Sequence, residues 1–207
     1  YKMMLGPAEK TLYGKGYITD TLCGRTFKIS PRSFYQVNPV QTELLYNKAV
    51  EMARLTGKET VIDAYCGVGT IGIYCSAFVK QVIGAELNRD AVRDAIENAK
   101  QNQIKNIYFH CRDAGEFMQE LKSSGEQIDV VFTDPPRSGC SMEFLNALTA
   151  LRPARIVYIS CNPQTQQRDL RFLTQNGYAV KEIQPVDMFP HTNHVECVAS
   201  LKSNGQK

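Results

Sequence analysis

No apolar run in this sequence approaches the ~20 residues a helix needs to cross a bilayer. No secretory signal is recognisable either, so a cytoplasmic protein is expected. The seven cysteines, at 23, 66, 75, 111, 140, 161 and 197, are odd in number and contain no C-x-x-C pair. That disfavours both a disulfide framework and a zinc site, and no metal is expected in this chain. Reduced thiols fit better. His191 and His194 lack metal-like companions and read as structural or phosphate-facing. Charge of one sign is also scarce: the net charge is +3 and the pI about 8.4, which permits a nucleic-acid partner without requiring one. There is no internal repeat and no low-complexity tract. There is also no initiator Met ahead of Tyr1, so origin from a longer protein is expected.

What is present suffices for one domain with a full core and room for a small appendage: 207 residues, 43% hydrophobic and 22% charged. Residues 1–32 are assigned to the appendage. Within them, 15–20 and 25–30 alternate apolar and polar residues around Thr21-Leu-Cys-Gly24, which predicts a hairpin. From residue 33 the pattern is a polar-aromatic loop, a helix over 40–54, and then repeated βα units. Strands are expected at 60–64, 81–86, 106–110, 129–133 and 155–160. Helices are expected at 70–78, 90–102, 114–121, 142–151 and 164–175, and Asn88 or Asp90 can cap the second of these. Two further strands, 179–186 and 195–201, should close the sheet as an antiparallel pair. Residues 203–207 are expected to fray.

The most informative stretch is Asp63-Ala-Tyr-Cys-Gly-Val-Gly-Thr-Ile-Gly72, a strand end, a glycine turn of the G-x-G-x-x-G type and a helix start. Glu86 follows about twenty residues on, at the end of the next strand. This is the layout of a nucleoside-cofactor site at the carboxyl edge of a parallel sheet. A dinucleotide would bring its pyrophosphate to this turn, where Asp63 would repel it. S-adenosylmethionine carries no phosphate but has a sulfonium and an amino group, and it suits an acidic mouth. Glu86 then suits ribose hydroxyls.

Other strand ends carry polar or reactive groups, as expected of a ligand edge. Asp113 either accepts from an adenine amino group or caps the helix after it. Asp134-Pro-Pro-Arg137 projects a carboxylate from a backbone that two prolines stiffen. Cys161, in Ser160-Cys-Asn-Pro163, stands before a helix, where a thiol pKa is expected to fall. Cys66, inside the glycine turn, reads as packing. Glu196 lies in an apolar strand; unless it is paired or exposed its pKa should rise, which suits a general base.

Taken in order, Phe34-Tyr-Gln-Val-Asn38, Asp63-Ala-Tyr-Cys-Gly-Val-Gly69, Asp134-Pro-Pro-Arg137, Ser160-Cys-Asn162, Met188-Phe-Pro-His-Thr192 and His194-Val-Glu196 resemble the catalytic domain of bacterial RNA uracil-5-methyltransferases, over roughly residues 15–201. The resemblance implies an α/β fold of class I, S-adenosylmethionine-dependent methyltransferases: a Rossmann-like, mostly parallel sheet with an antiparallel C-terminal strand over 33–207, plus the N-terminal hairpin appendage. It implies Cys161 as nucleophile at uracil C6 and Glu196 as the base that removes the C5 proton. It places Gln36, Tyr65, Gly67, Gly69, Thr70, Glu86, Asp113 and Asp134 around S-adenosylmethionine. Relatives often carry Asn where Thr70 stands. Phe34, Gln36, Asp134 and Arg137 fall on the substrate side, with Phe34 stacking on a flipped base.

The implied partner is RNA, 23S ribosomal RNA ahead of tRNA, with no membrane and a monomeric state. Arg25, Lys28, Arg32, Arg137, Arg168 and Arg171 are candidate phosphate contacts. The four-cysteine iron–sulfur module and RNA-binding barrel of many members have no counterpart in this stretch, so an iron–sulfur cluster would belong only to an upstream region. Rival readings are methylation of a base nitrogen through Asp134-Pro-Pro, methylation of cytosine C5, a non-catalytic RNA-binding domain and, remotely, a nicotinamide oxidoreductase.

Overall fold

A computed structural model describes residues 10–205. Residues 1–9 of the expected appendage, and 206–207 of the expected frayed end, lie outside that range. Nine strands and six α-helices alternate among the described residues: β1 (Ile18–Leu22), β2 (Arg25–Ile29), α1 (Pro39–Ala53), β3 (Thr60–Ala64), α2 (Thr70–Cys75), β4 (Gln81–Glu86), α3 (Arg89–Gln101), β5 (Ile107–Cys111), α4 (Ala114–Ser123), β6 (Val130–Thr133), α5 (Met142–Leu151), β7 (Arg155–Ser160), α6 (Pro163–Gln175), β8 (Tyr178–Val186) and β9 (Glu196–Ser203). The helix expected over 70–78 ends as α-helix at Cys75 and finishes in a 3₁₀ turn, Ser76–Phe78. The expected fraying from 203 is corrected at Ser203, which pairs with Tyr178 as the last residue of β9.

The main sheet has the order β5-β4-β3-β6-β7-β9-β8. Every pairing from β5 to β7 is parallel, and β9 alone runs against its neighbours. This is the Rossmann-like methyltransferase fold expected from the sequence. The chain reverses its direction of travel between β3 and β6, which opens a crevice at the carboxyl ends of those strands. Val61, Ile62, Val82, Val130, Val131, Ile156 and Val157 are almost wholly buried, as strands covered on both faces require.

Side-chain caps start the helices. Asn38, Asn88, Asp113, Ser141 and Asn162 each accept backbone N–H bonds at a helix start, and Pro39 and Pro163 follow two of them. Glycines fix two close approaches. A Cβ on Gly84 would stand 2.5 Å from the Phe109 ring, and one on Gly69, at φ +83, would stand 2.8 Å from it. Phe109 thus packs beneath the glycine turn.

The hairpin β1–β2 forms its own sheet, turning at Cys23-Gly24, where both residues have positive φ. Its open edge is closed by a helix rather than a strand. On α3, Asn102 both accepts from Thr26 N–H and donates to Thr26 C=O. Asn98 does the same for Lys28, and Asp94 accepts from Ser30 N–H. Residues four apart on a helix meet residues two apart on a strand, so this side-chain ladder satisfies backbone groups that a neighbouring strand would otherwise bind. Asn98 also donates to Val68 C=O in the glycine turn.

Candidate active site

The strand-end residues converge on the crevice. Asp63, the penultimate residue of β3, is fully buried, and its Oδ2 accepts from Gly72 N–H at 2.8 Å. Its other oxygen has no partner among the described residues. Burial pushes its carboxyl up to about 7; the Gly72 bond opposes the rise and Glu86 adds to it. Tyr65 follows in a left-handed conformation, φ 63, which is unusual for an aromatic residue. Its ring packs 5.2 Å from Phe144. Gly67, at φ +54, faces open space where a Cβ would meet nothing, which leaves backbone accessible to a ligand. Gly67 N–H donates to Glu86 Oε2 at 3.1 Å, and Asn88 N–H to Oε1 at 2.7 Å. Thr70 opens α2, with its hydroxyl 3.0 Å from that of buried Tyr46 on α1.

Asp113 caps α4, its Oδ1 accepting from Gly115 and Glu116 N–H. Asp134 stands partly buried at the end of β6. Burial, then the charges of Glu196 and Asp63, raise its carboxyl well above the usual range. The charges of both other acids thus act on it.

β7 and β9 bring the reactive pair together. Their register ends with Ser160 opposite Cys197, and Cys161 and Glu196 are the residues next to that last pair, close enough that the Glu196 charge acts on the thiol. Glu196 is 2% exposed, and its Oε2 has no partner among the described residues. Burial pushes its carboxyl to about 7, the rise expected of a lone acid in an apolar strand.

Cys161 does sit at the start of α6, but the expected fall in its pKa is corrected. Partial burial raises the thiol, the charges of Glu196 and Asp134 raise it further, and Arg137 opposes them. Cys66 is buried in the turn, as the packing reading holds.

The loop before α1 closes the other side. Phe34 is 73% exposed, whereas Gln36 is buried with an unpartnered Oε1. Asn38 ties this loop to the one after β8 through Met188 C=O, and Thr42 touches the buried Met188 sulfur. Arg137 is exposed, and its guanidinium lies 3.2 Å from His194 Nδ1. Two of the candidate phosphate contacts are otherwise engaged. Lys28 pairs with Glu97 at 2.5 Å and Asp94 at 3.7 Å, and Arg168 pairs with buried Asp169.

The sequence model for tRNA (uracil-5-)-methyltransferases matches residues 7–204. The chain belongs to that family. It is 49% identical to an uncharacterised RNA methyltransferase of Oceanobacillus iheyensis over 96% of its length, and 52% identical to one of Staphylococcus aureus over 95%. It spans 43% of either relative. Among solved structures it is similar to the tRNA (uracil-54, C5)-methyltransferase of Pyrococcus abyssi in complex with S-adenosyl-L-homocysteine, with a TM-score of 0.78 and 37% identity, covering 91% of this chain and 45% of that one.

S-adenosylmethionine is the cofactor of this family, and the residues present fit it. Every buried carboxylate or amide oxygen without a partner among the described residues belongs to Gln36, Asp63 or Glu196. Such acceptors, with Asp134 within the field of two of them, suit a ligand carrying positive charge and N–H donors. The same acidity disfavours a pyrophosphate. Among the described residues no group of His, Cys, Asp and Glu is arranged to hold a metal, and no helix is long and apolar enough to cross a membrane.

Sequence reasoning missed Tyr46, whose hydroxyl reaches the turn from α1. Nothing in its local pattern separates it from an ordinary core residue on a helix.

Proposed function

We propose that this domain transfers a methyl group from S-adenosylmethionine to C5 of a uridine in RNA, through a covalent bond between Cys161 and uracil C6. The observation that carries the reading is that neighbouring strands β7 and β9 bring a thiol and a buried carboxyl to the same end of the sheet, where burial pushes the carboxyl up to about 7. Uracil C5 is a poor nucleophile. Addition of the Cys161 thiolate at C6 moves the electron pair of the C5–C6 bond onto C5 and the O4 enolate, dividing one hard substitution into easier steps. The cofactor supplies an electrophilic methyl group, which C5 takes. Glu196, as carboxylate, then removes the C5 proton, and re-formation of the C5–C6 double bond expels the thiolate. A carboxyl poised near neutrality is suited to that proton transfer.

Gln36, Tyr65, Gly67, Gly69, Thr70, Glu86, Asp113 and Asp134 are assigned to the cofactor side. Phe34, Gln36, Asp134 and Arg137 are assigned to the uracil, with exposed Phe34 stacking on a base drawn out of its helix. The protein is proposed to act as a monomer in the cytoplasm. The resemblance favours 23S ribosomal RNA, whereas the family and the similar Pyrococcus abyssi enzyme are named for tRNA, so the test uses both. The domain, and a longer version carrying upstream sequence, are incubated with S-adenosylmethionine and 5-fluorouridine-containing rRNA or tRNA fragments. Intact mass is then recorded. Fluorine at C5 cannot leave as a proton, so a methylated protein–RNA adduct should accumulate and be absent from Cys161→Ala. Methylation of ordinary RNA that survives Cys161→Ala would overturn the reading in favour of methylation at a base nitrogen.

A further inference from the structure

The proposed reaction needs the Cys161 thiol ionised, yet two acids beside it oppose ionisation. Arg137 is the cationic group that favours the thiolate, and it stands on an exposed loop. What holds that loop in place is therefore part of the chemistry. The loop from Pro136 to Cys140 is gripped almost entirely by α6, the helix that begins just after Cys161. Asn162 Nδ2 and Thr165 Oγ1 both donate to Arg137 C=O, at 3.1 and 3.3 Å. Arg168 donates to Ser138 C=O and Cys140 C=O, at 3.2 and 3.0 Å.

Asp169 is at the centre of this grip. It is 0% exposed. Its Oδ2 accepts from Cys140 N–H at 2.8 Å and from the Tyr158 hydroxyl at 2.6 Å, while Oδ1 accepts from Arg168 Nε at 2.8 Å. The carboxylate thus links strand β7, helix α6 and the loop. Gly139 shows how tightly they meet: a Cβ there would stand 2.7 Å from Arg168 Nη2 and 2.8 Å from Asp169 Oδ2.

We propose that Asp169 is a positioning residue for the reaction: with Tyr158, Arg168 and the start of α6, it locks the loop so that the Arg137 guanidinium stays beside the Cys161 thiol. Asp169 touches no reacting atom and acts through Arg137. The charged groups acting on the thiol are Glu196 from β9, Asp134 from the end of β6 and Arg137 from the loop, and His194 contacts Arg137. Loss of the lock lets Arg137 move away while both acids stay. The inference rests on Cys161 being the working thiol. It is tested without RNA or cofactor, so its failure is distinct from failure of the proposed function.

The experiment is alkylation by iodoacetamide from pH 6 to 9.5, followed at Cys161 by peptide mass spectrometry. Exposed Cys111 serves as an internal reference. Arg137→Gln should slow Cys161 alkylation about fivefold at pH 7.5 and displace its pH profile upward, because an opposite charge stabilises the thiolate. Asp169→Asn should slow it about threefold at pH 7.5 and add nothing in the Arg137→Gln background, as expected of one residue acting through another. Thr165→Val, which removes one bond to Arg137 C=O without touching the buried carboxylate, should move the profile the same way by less. An equal effect of Asp169→Asn with and without Arg137 would overturn the proposal. So would an unmoved Cys161 profile in folded Asp169→Asn, or in Thr165→Val should Asp169→Asn fail to fold.

Discussion

Glu196→Gln should make the protein more stable, and increasingly so as pH rises. The carboxyl is 2% exposed, and burial takes its pKa from 4.5 to about 7. Below the unfolded value the group is protonated in both states and its ionisation adds nothing. As pH climbs from 4.5 the unfolded chain loses this proton while the native state keeps it, so native stability falls. The fall ends once pH passes about 7 and both states are ionised. A shift of this size corresponds to about 3 kcal/mol at pH 8, an upper figure because the native strand can relax or admit water.

Gln cannot titrate, so the stability difference between variant and wild type should grow by up to about 3 kcal/mol between pH 4.5 and 8. For a domain of this length that is a Tm advantage larger by about 6–12 °C at pH 8 than at pH 4.5. Any fixed effect of the new amide cancels in the comparison. The chain has no tryptophan, so urea unfolding is best followed by far-ultraviolet circular dichroism. A stability difference that stays constant across the range would refute a buried, late-titrating Glu196. On the proposed mechanism the same variant loses turnover, because the C5 proton has no acceptor.

Asp63→Asn tests the cofactor side. A cation beside Asp63 favours its ionised form, so wild-type affinity for S-adenosylmethionine should rise through pH 7, the pKa to which burial takes this carboxyl. Calorimetric titration of the variant should give about tenfold weaker binding at pH 8 and a flatter pH dependence; an undiminished slope would remove Asp63 from the site. Asn98→Ala tests the hairpin's anchor. It leaves Lys28 N–H, Lys28 C=O and Val68 C=O without their partner, which should cost about 2–4 kcal/mol in urea unfolding. A loss under about 0.5 kcal/mol would mean that the ladder contributes little.

The ligand edge was legible because its residues are tied to local signals. Strands β3, β4 and β7 and helix α5 run over the residues that apolar runs and their flanking turns mark out. A strand end in a parallel sheet is a ligand position whatever the distant contacts are, so Asp63, Glu86, Asp134 and Cys161 could be placed before the fold was known. What could not be read depends on residues that meet only after folding. Cys161 looks like a thiol favoured by a helix start, and the two acids that reverse this lie on β9 and after β6. The ladder of Asp94, Asn98 and Asn102 is written openly at four-residue spacing, but polar residues at that spacing ordinarily mark a solvated helix face. Only the docked hairpin shows Asp94 and Asn98 to be buried and Asn102 half-buried. Asp169 hides in the same way, beside Arg168 in a helix whose local sequence is strongly polar.

The buried acids of the site lie where a hydrophobic core would exclude them. Asp63 and Glu196 each keep an oxygen without a partner among the described residues, and the charges of both act on Asp134. Apolar residues of similar size would cost less to bury there. The arrangement makes sense when a cation occupies it, because the charge that burial disfavours is then the charge that binding requires. The same placement explains why the neighbouring loop is held so firmly from α6. With two carboxyls opposing ionisation of the thiol, one guanidinium has to be kept in position by the fold, because electrostatic attraction through an exposed, solvated approach is too weak to do it.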